Sequence, residues 1–87
     1  MDKLRTIVKN SRFETELEAI GPTIENADEF LEGVEMVLAR LPECGHQIGN
    51  SRVWFIPGWT VDLAIYYTFD DDRVVLLSIL KTARIEP

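Results

Sequence analysis

Arg52-Val-Trp-Phe-Ile56, Val61-Asp-Leu-Ala-Ile-Tyr-Tyr-Thr-Phe69 and Arg73-Val-Val-Leu-Leu-Ser-Ile-Leu80 follow one another in the last third of the chain, separated by Pro57-Gly58 and by Asp70-Asp71-Asp72. The three runs read as consecutive β-strands joined by short polar turns. The middle one alternates: Val61, Leu63, Ile65, Tyr67 and Phe69 fall on one face, and Asp62, Ala64, Tyr66 and Thr68 on the other. Alternation of that kind marks a half-buried strand. The third run is apolar at both parities, which predicts a central strand covered on both sides.

Upstream of this meander lie two helical patterns. Ser11 and Glu14 fit a capping box, and Phe13, Leu17 and Ile20 then share a helical face. Gly21-Pro22 ends this helix, and Thr23 is placed to cap the next. The second helix is expected over residues 24–41, with Ile24, Ala27, Leu31, Val34, Leu38 and Leu41 repeating at spacings of three and four. Glu25, Asp28, Glu29, Glu32 and Glu35 line its outer face, Arg40 sits in its last turn, and Pro42 stops it. The turn between the helices is short enough to fold them back as an antiparallel hairpin. Leu4-Arg-Thr-Ile-Val8 is a short β-prone run. Residues 43–51 read as a loop punctuated by Gly45 and Gly49-Asn50.

The expected order is therefore β-α-α-β-β-β. It describes an α+β domain in which the helical hairpin packs on one face of a small, antiparallel-rich, four-stranded sheet. The Ile24/Leu31/Leu38 stripe is expected on the Val61/Leu63/Ile65 face. Residues 73–80 are expected inside the sheet, between 61–69 and the strand near residues 4–8.

With 87 residues the chain is one domain, 46% hydrophobic and 28% charged, in the ordinary range for a globular protein. It has no apolar run of the ~20 residues needed to span a bilayer. No apolar stretch follows the N-terminal charges, so no secretory leader is expected. Cys44 is the single cysteine and has no internal disulfide partner. A cytoplasmic location is the simplest expectation.

Net charge is −6 and unevenly placed. Residues 11–43 hold nine carboxylates (Glu14, Glu16, Glu18, Glu25, Asp28, Glu29, Glu32, Glu35, Glu43) against Arg12 and Arg40. An acidic flank repels phosphate, and the linear sequence carries no basic footprint of the kind nucleic-acid binding leaves.

This order and three stretches together resemble the RelE/ParE toxin superfamily of bacterial toxin–antitoxin modules. The stretches are Ser11-Arg-Phe-Glu-Thr-Glu-Leu17, Phe30-Leu-Glu-Gly-Val-Glu-Met-Val-Leu-Ala-Arg-Leu-Pro42 and, above all, residues 65–81, an aromatic-ended strand, an acidic turn and a β-branched run ending at Lys81. The resemblance covers nearly the whole chain. It implies a cytoplasmic, bacterial, toxin-like component that meets a protein partner, either an antitoxin or a target. It also implies, for members that cut messenger RNA, basic side chains on and just after the meander and a C-terminal tyrosine or histidine. Here the family's middle-strand arginine falls at Ala64, and Lys81 matches the basic residue after the last strand. The arginine that often comes next falls at Thr82, and the chain ends Ile85-Glu86-Pro87. Lys81 and the out-of-register Arg84 are the catalytic candidates left. Each lost charged contact to a developing oxyanion typically removes ~2–4 kcal/mol of transition-state stabilisation. Two such losses amount to roughly 10³–10⁶ in rate. The expectation is a toxin-like protein with impaired or absent ribonuclease activity, the alternative being a non-catalytic relative that binds another protein.

Trp59, Asp62 and Tyr66 are the binding candidates. Tyr66 shares its strand face with Asp62 and Thr68, and aromatic residues near a sheet edge anchor partners. Core packing is the plainer reading for Trp54. Cys44-Gly45-His46 lacks the further ligands a metal needs, and Asp70-Asp71-Asp72 lacks the spacing of a calcium loop, so a loop and a hairpin turn account for them. No cofactor or metal is expected.

Overall fold

The computed structural model describes residues 4–24, 26–57 and 61–83. In chain order these form β1 (Thr6–Lys9), α1 (Ser11–Ile20), a 3-10 turn (Gly21–Thr23), α2 (Ala27–Arg40), a second 3-10 turn (Pro42–Cys44), β2 (His46–Ile48), β3 (Ser51–Ile56), β4 (Val61–Phe69) and β5 (Arg73–Ala83). The sheet order is β1-β5-β4-β3-β2, with β1 parallel to β5 and every other pairing antiparallel. The α+β class and the internal position of β5 between β4 and β1 agree with the sequence reading.

The strand count does not agree. The expected loop of residues 43–51 contains a fifth strand, β2, which folds back on β3 with Ile48 opposite Ser51. Gly49 makes the reversal possible, because its φ of +58° lies in the left-handed region that side-chain-bearing residues avoid. His46-Gln47-Ile48 is too short for its alternation to register against a loop.

β5 also departs from expectation. Its register with β4 passes from Tyr66↔Ser78 to Tyr67↔Leu76, which leaves Leu77 without a partner. This β-bulge inserts one residue and reverses the parity of the strand on either side of it. Val74 and Leu76 lie on the same side of the sheet as Ile79, although Leu76 and Ile79 are three residues apart, and all three are fully buried. The strand reads as apolar at both parities because of the bulge. It is covered by helices on one face, and Leu80 on the other remains 39% exposed.

Both helices contribute to a single core. Phe13 of α1 and Val34 and Leu38 of α2 cluster with Ile65, Tyr67, Val74, Leu76 and Ile79, and Ile7, Leu17, Ile20, Phe30, Leu31, Trp54, Ile56 and Phe69 pack around them. Each fully buried large side chain contributes ~1.5–3 kcal/mol relative to exposure. α1 lies along β5 and α2 chiefly over β1 and β5, and Leu38 joins Ile65 in the core on the sheet face expected for it, with Leu31 packed around them. Val61 belongs to β4, but its side chain lies outside the described part of the structure. α2 starts at Ala27, after Asn26 in the left-handed region (φ 55°), so Ile24 precedes the helix and Leu41 comes after it, 57% exposed.

The caps differ from expectation as well. Asn10, not Ser11, caps α1, its Oδ1 accepting from the Phe13 amide at 2.8 Å. Asn10 wins because its own amide is already fixed to the Leu76 carbonyl at 3.1 Å, which aims its side chain over the first helical turn. Thr23 turns back, donating to the Ile20 carbonyl at 2.6 Å rather than capping α2. Ser78, beside the bulge, donates to Glu16 of α1 at 2.6 Å and ties the helix to the sheet.

Candidate functional site

Residues opposite one another on paired strands share a face. The register therefore assembles one surface from His46 and Ile48 of β2, Val53 and Phe55 of β3, Asp62, Ala64, Tyr66 and Thr68 of β4, Val75, Leu80 and Thr82 of β5, and Val8 of β1. The buried residues of both helices join the core on the opposite side, so among the described residues this face is left open. Ala64 lies at its centre, fully buried, with Phe55 across from it on one neighbour and Leu80 on the other. Val53 is equally buried beside Tyr66. The larger side chains that shelter them stay accessible: Ile48 is 55% exposed and Phe55 49%. The His46 ring leans on Phe55, centroids 6.4 Å apart. Among the described residues the guanidinium on this face is Arg73, at the far corner beside Thr6 and some 13 Å from Tyr66 at ~3.3 Å per residue.

The structure divides the sequence-derived candidates. Asp62 and Tyr66 lie on the open face, both half-buried, and the Asp62 carbonyl accepts from Thr82 Oγ1 at 3.2 Å. Lys81 pairs with Leu63 and lies two residues beyond Ile79, so it belongs to the helix-covered side of the sheet, at its exposed end. Lys81 and Tyr66 thus point to opposite faces. Trp59 and Arg84 lie outside the described residues. Trp54 is a core residue, packed beside Ile65.

A second polar constellation, missed in the sequence, sits inside the fold. Tyr67 is fully buried, and its hydroxyl donates to the Pro42 carbonyl and accepts from the Gly45 amide at 3.0 Å. Cys44 Sγ lies 4.0 Å away. Burial pushes the phenol up to about 12, outweighing the Gly45 amide, which favours the phenolate. Arg52 closes the same turn, its Nη1 donating to the carbonyls of Glu43 at 3.0 Å and Gly45 at 2.9 Å. These contacts fix the chain between α2 and β2. An un-ionised, enclosed tyrosine with both hydrogen-bonding roles filled serves structure, and it neither donates to nor accepts from a substrate. Tyr67 showed in the sequence only as one apolar-parity position of its strand. A hydroxyl placed there could have signalled a buried partner.

At the end of the sheet, Phe69 is flanked by two guanidiniums, with Cζ of Arg5 and of Arg52 each 5.5 Å from its ring centroid. Asp70 Oδ1 accepts from the amides of Asp72 and Arg73, both at 2.8 Å, which holds its carboxyl below the usual range. The acidic triplet is thus a turn-forming device, as expected.

Among the described residues no group of three His, Cys, Asp or Glu side chains is placed to hold a metal, and no helix is long and apolar enough to cross a membrane. The chain matches no protein-family model, and comparison with curated proteins gives no significant match.

Proposed function

We propose that this chain is a toxin-like component of a bacterial toxin–antitoxin module of the RelE/ParE kind, cytoplasmic, with impaired or absent ribonuclease activity, and that it acts through protein contact. Support for the module comes from the element order and from the resemblance of residues 11–17, 30–42 and 65–81. The observation that carries the protein-contact reading is the open sheet face. Phe55, Ile48 and Leu80 are accessible there around a buried Ala64, and among the described residues no lysine or arginine lies near Tyr66 on that face. Phosphorane stabilisation requires cations aimed at the reacting phosphate. A surface of aromatic and aliphatic groups with a sparse polar rim suits a protein instead.

A non-catalytic relative that only binds another protein is the second reading, and it is favoured by Ala64 standing where the family pattern has arginine. Expression in bacteria, alone and with a neighbouring small open reading frame, separates the two. The toxin-like reading expects growth inhibition relieved by the co-expressed partner, with no codon-phased cleavage in primer extension and with loss of the effect in a folded Phe55→Glu/Leu80→Glu variant. Absence of any growth effect leaves the binding-only relative. Strong codon-phased cleavage that disappears in Lys81→Ala/Arg84→Ala would sink both readings and restore a nuclease.

A further inference from the structure

Arg5 and Arg52 are held in an unusual way for a chain of charge −6. Each guanidinium is fixed by main-chain carbonyls, Arg5 Nε by Asp70 at 2.7 Å and Arg52 Nη1 by Glu43 and Gly45, and each lies over the Phe69 ring. Neither is paired with a carboxylate among the described residues, where the ion pairs are Lys9–Glu35 and Arg12–Glu16. The nearby Asp70 carboxylate is turned to the backbone amides of its own turn. Beside Arg52 opens a pocket of about 190 Å³ lined by Gln47, Asn50, Ser51, Arg52, Thr68 and Phe69. Four of these linings are neutral side chains with hydrogen-bonding groups, and none is acidic. The volume holds a tetrahedral oxyanion with several waters, each occupying ~30 Å³ in the liquid.

We propose that this pocket, at the end of the sheet where β2 turns into β3, is a binding site for a phosphate group. Arg52, the cation among the lining residues, supplies the charge-assisted donors, and Arg5, over the same Phe69 ring but outside the lining, adds a second positive charge nearby. Asn50, Ser51 and Thr68 supply neutral hydrogen bonds. An arginine clamped by carbonyls through one nitrogen and laid on an aromatic ring loses little further freedom when it grips an oxyanion, and its planar fork suits two phosphate oxygens. The chain's overall negative charge slows encounter with anions at long range. Screening over ~8–10 Å at physiological salt leaves the local pair of guanidiniums to decide binding in the pocket. The site lies at the end of the sheet, sharing Thr68 with the edge of the open face but not Phe55 or Leu80, and it stands or falls independently of the proposed function.

The test is a titration of the ¹⁵N-labelled full chain with inorganic phosphate, a nucleoside monophosphate and a short single-stranded RNA, monitored by amide shifts. The expected result is saturable shifts centred on Gln47, Asn50, Ser51 and Thr68. Asn50→Asp, in an exposed turn, places a carboxylate in the wall and is expected to weaken binding at least ~10-fold with an unchanged melting temperature. Arg5→Gln, outside the turn that Arg52 closes, is expected to weaken it about as much. Equal affinity for phosphate and nucleotide assigns recognition to the phosphate group alone, and an affinity for RNA higher by ~10-fold or more assigns it to a nucleic-acid backbone. Failure to saturate at roughly tens of millimolar, shifts that map instead to Lys9, Arg12 or Lys81, or binding indifferent to Asn50→Asp would each overturn the proposal.

Discussion

Replacing Tyr67 by phenylalanine removes one oxygen atom and leaves the shape of the core intact, so its effect isolates the buried hydroxyl. In the variant the Gly45 amide and the Pro42 carbonyl both lose their partner, in a place where water does not reach. A buried backbone group left unsatisfied costs about 1–3 kcal/mol, so the pair together should remove about 2–4 kcal/mol. The phenol adds a pH dependence. Burial raises it from 10.0 to about 12, so the folded chain keeps this proton after the unfolded chain has lost it. Stability is therefore unaffected by this group below pH 10 and falls as pH climbs from 10 towards 12. Urea and thermal unfolding of both proteins from pH 7 to 12 should then show two things. At pH 7 Tyr67→Phe melts roughly 10–20 °C lower. Between pH 10 and 12 the wild type loses stability faster than the variant, so the gap narrows. A melting temperature within about 2 °C of wild type at pH 7, or a gap that stays constant through the alkaline range, would refute the role given to this hydroxyl.

Leu38→Asp buries a carboxylate in the centre of the cluster and should abolish the cooperative melt, because an unpaired buried charge removes several kcal/mol from a domain of this size. A wild-type melting curve would show that α2 does not pack as described. At Gly45 an added Cβ would meet Tyr67 Oη at 2.6 Å and the Val53 carbonyl at 2.8 Å, so Gly45→Ala should destabilise by about 1–3 kcal/mol in chemical denaturation. It should also be less than additive with Tyr67→Phe, which removes one of the two clashes. Amide exchange should be slowest at Leu76 and Ile79, which lie in the internal strand. Fast exchange at both would move β5 to an edge.

The meander was readable because strands β3 to β5 are long, alternate or run apolar, and are separated by turn residues with a mechanism, above all Asp70. The internal position of β5 followed from its apolar character alone. The cover on its second face did not, because a bulge at Leu77 reverses parity and makes a half-covered strand look fully buried. No local signal in Arg73-Val-Val-Leu-Leu-Ser-Ile-Leu80 announces the bulge. β2 was missed for a different reason: three residues carry too little pattern, although Gly49-Asn50 between Ile48 and Ser51 was the turn that could have exposed it. On the candidate site, alternation placed Asp62, Ala64 and Tyr66 together on one face, and the structure keeps them there. The contribution of Phe55 and Leu80 to that face was not legible, since it depends on register between strands. Tyr67, Arg5 and Arg52 were unreadable in the sequence because their partners are carbonyls and a ring brought close only by the fold.

On the proposed reading, the open face sets a limit on what kind of partner it can hold. Covering Ile48, Phe55 and Leu80, each roughly half exposed already, gains about 1 kcal/mol apiece, half of what full burial of such side chains provides. Some 3–4 kcal/mol falls at or below the 4–15 kcal/mol that association costs in lost freedom. A compact partner resting on this face alone would therefore bind weakly. Val8, 37% exposed on the same face, adds one more such contact, and the other accessible apolar groups are Leu4 before β1 and Met36, Val37 and Leu41 at the C-terminal end of α2. A partner that takes in the open face together with Met36 and Leu41 must reach both sides of the sheet, which an extended segment can do and a globular surface cannot. The tight partner proposed is accordingly a chain that wraps around the domain. An amide-protection footprint of a tight complex confined to β2–β5, with Met36 and Leu41 untouched, would contradict that geometry.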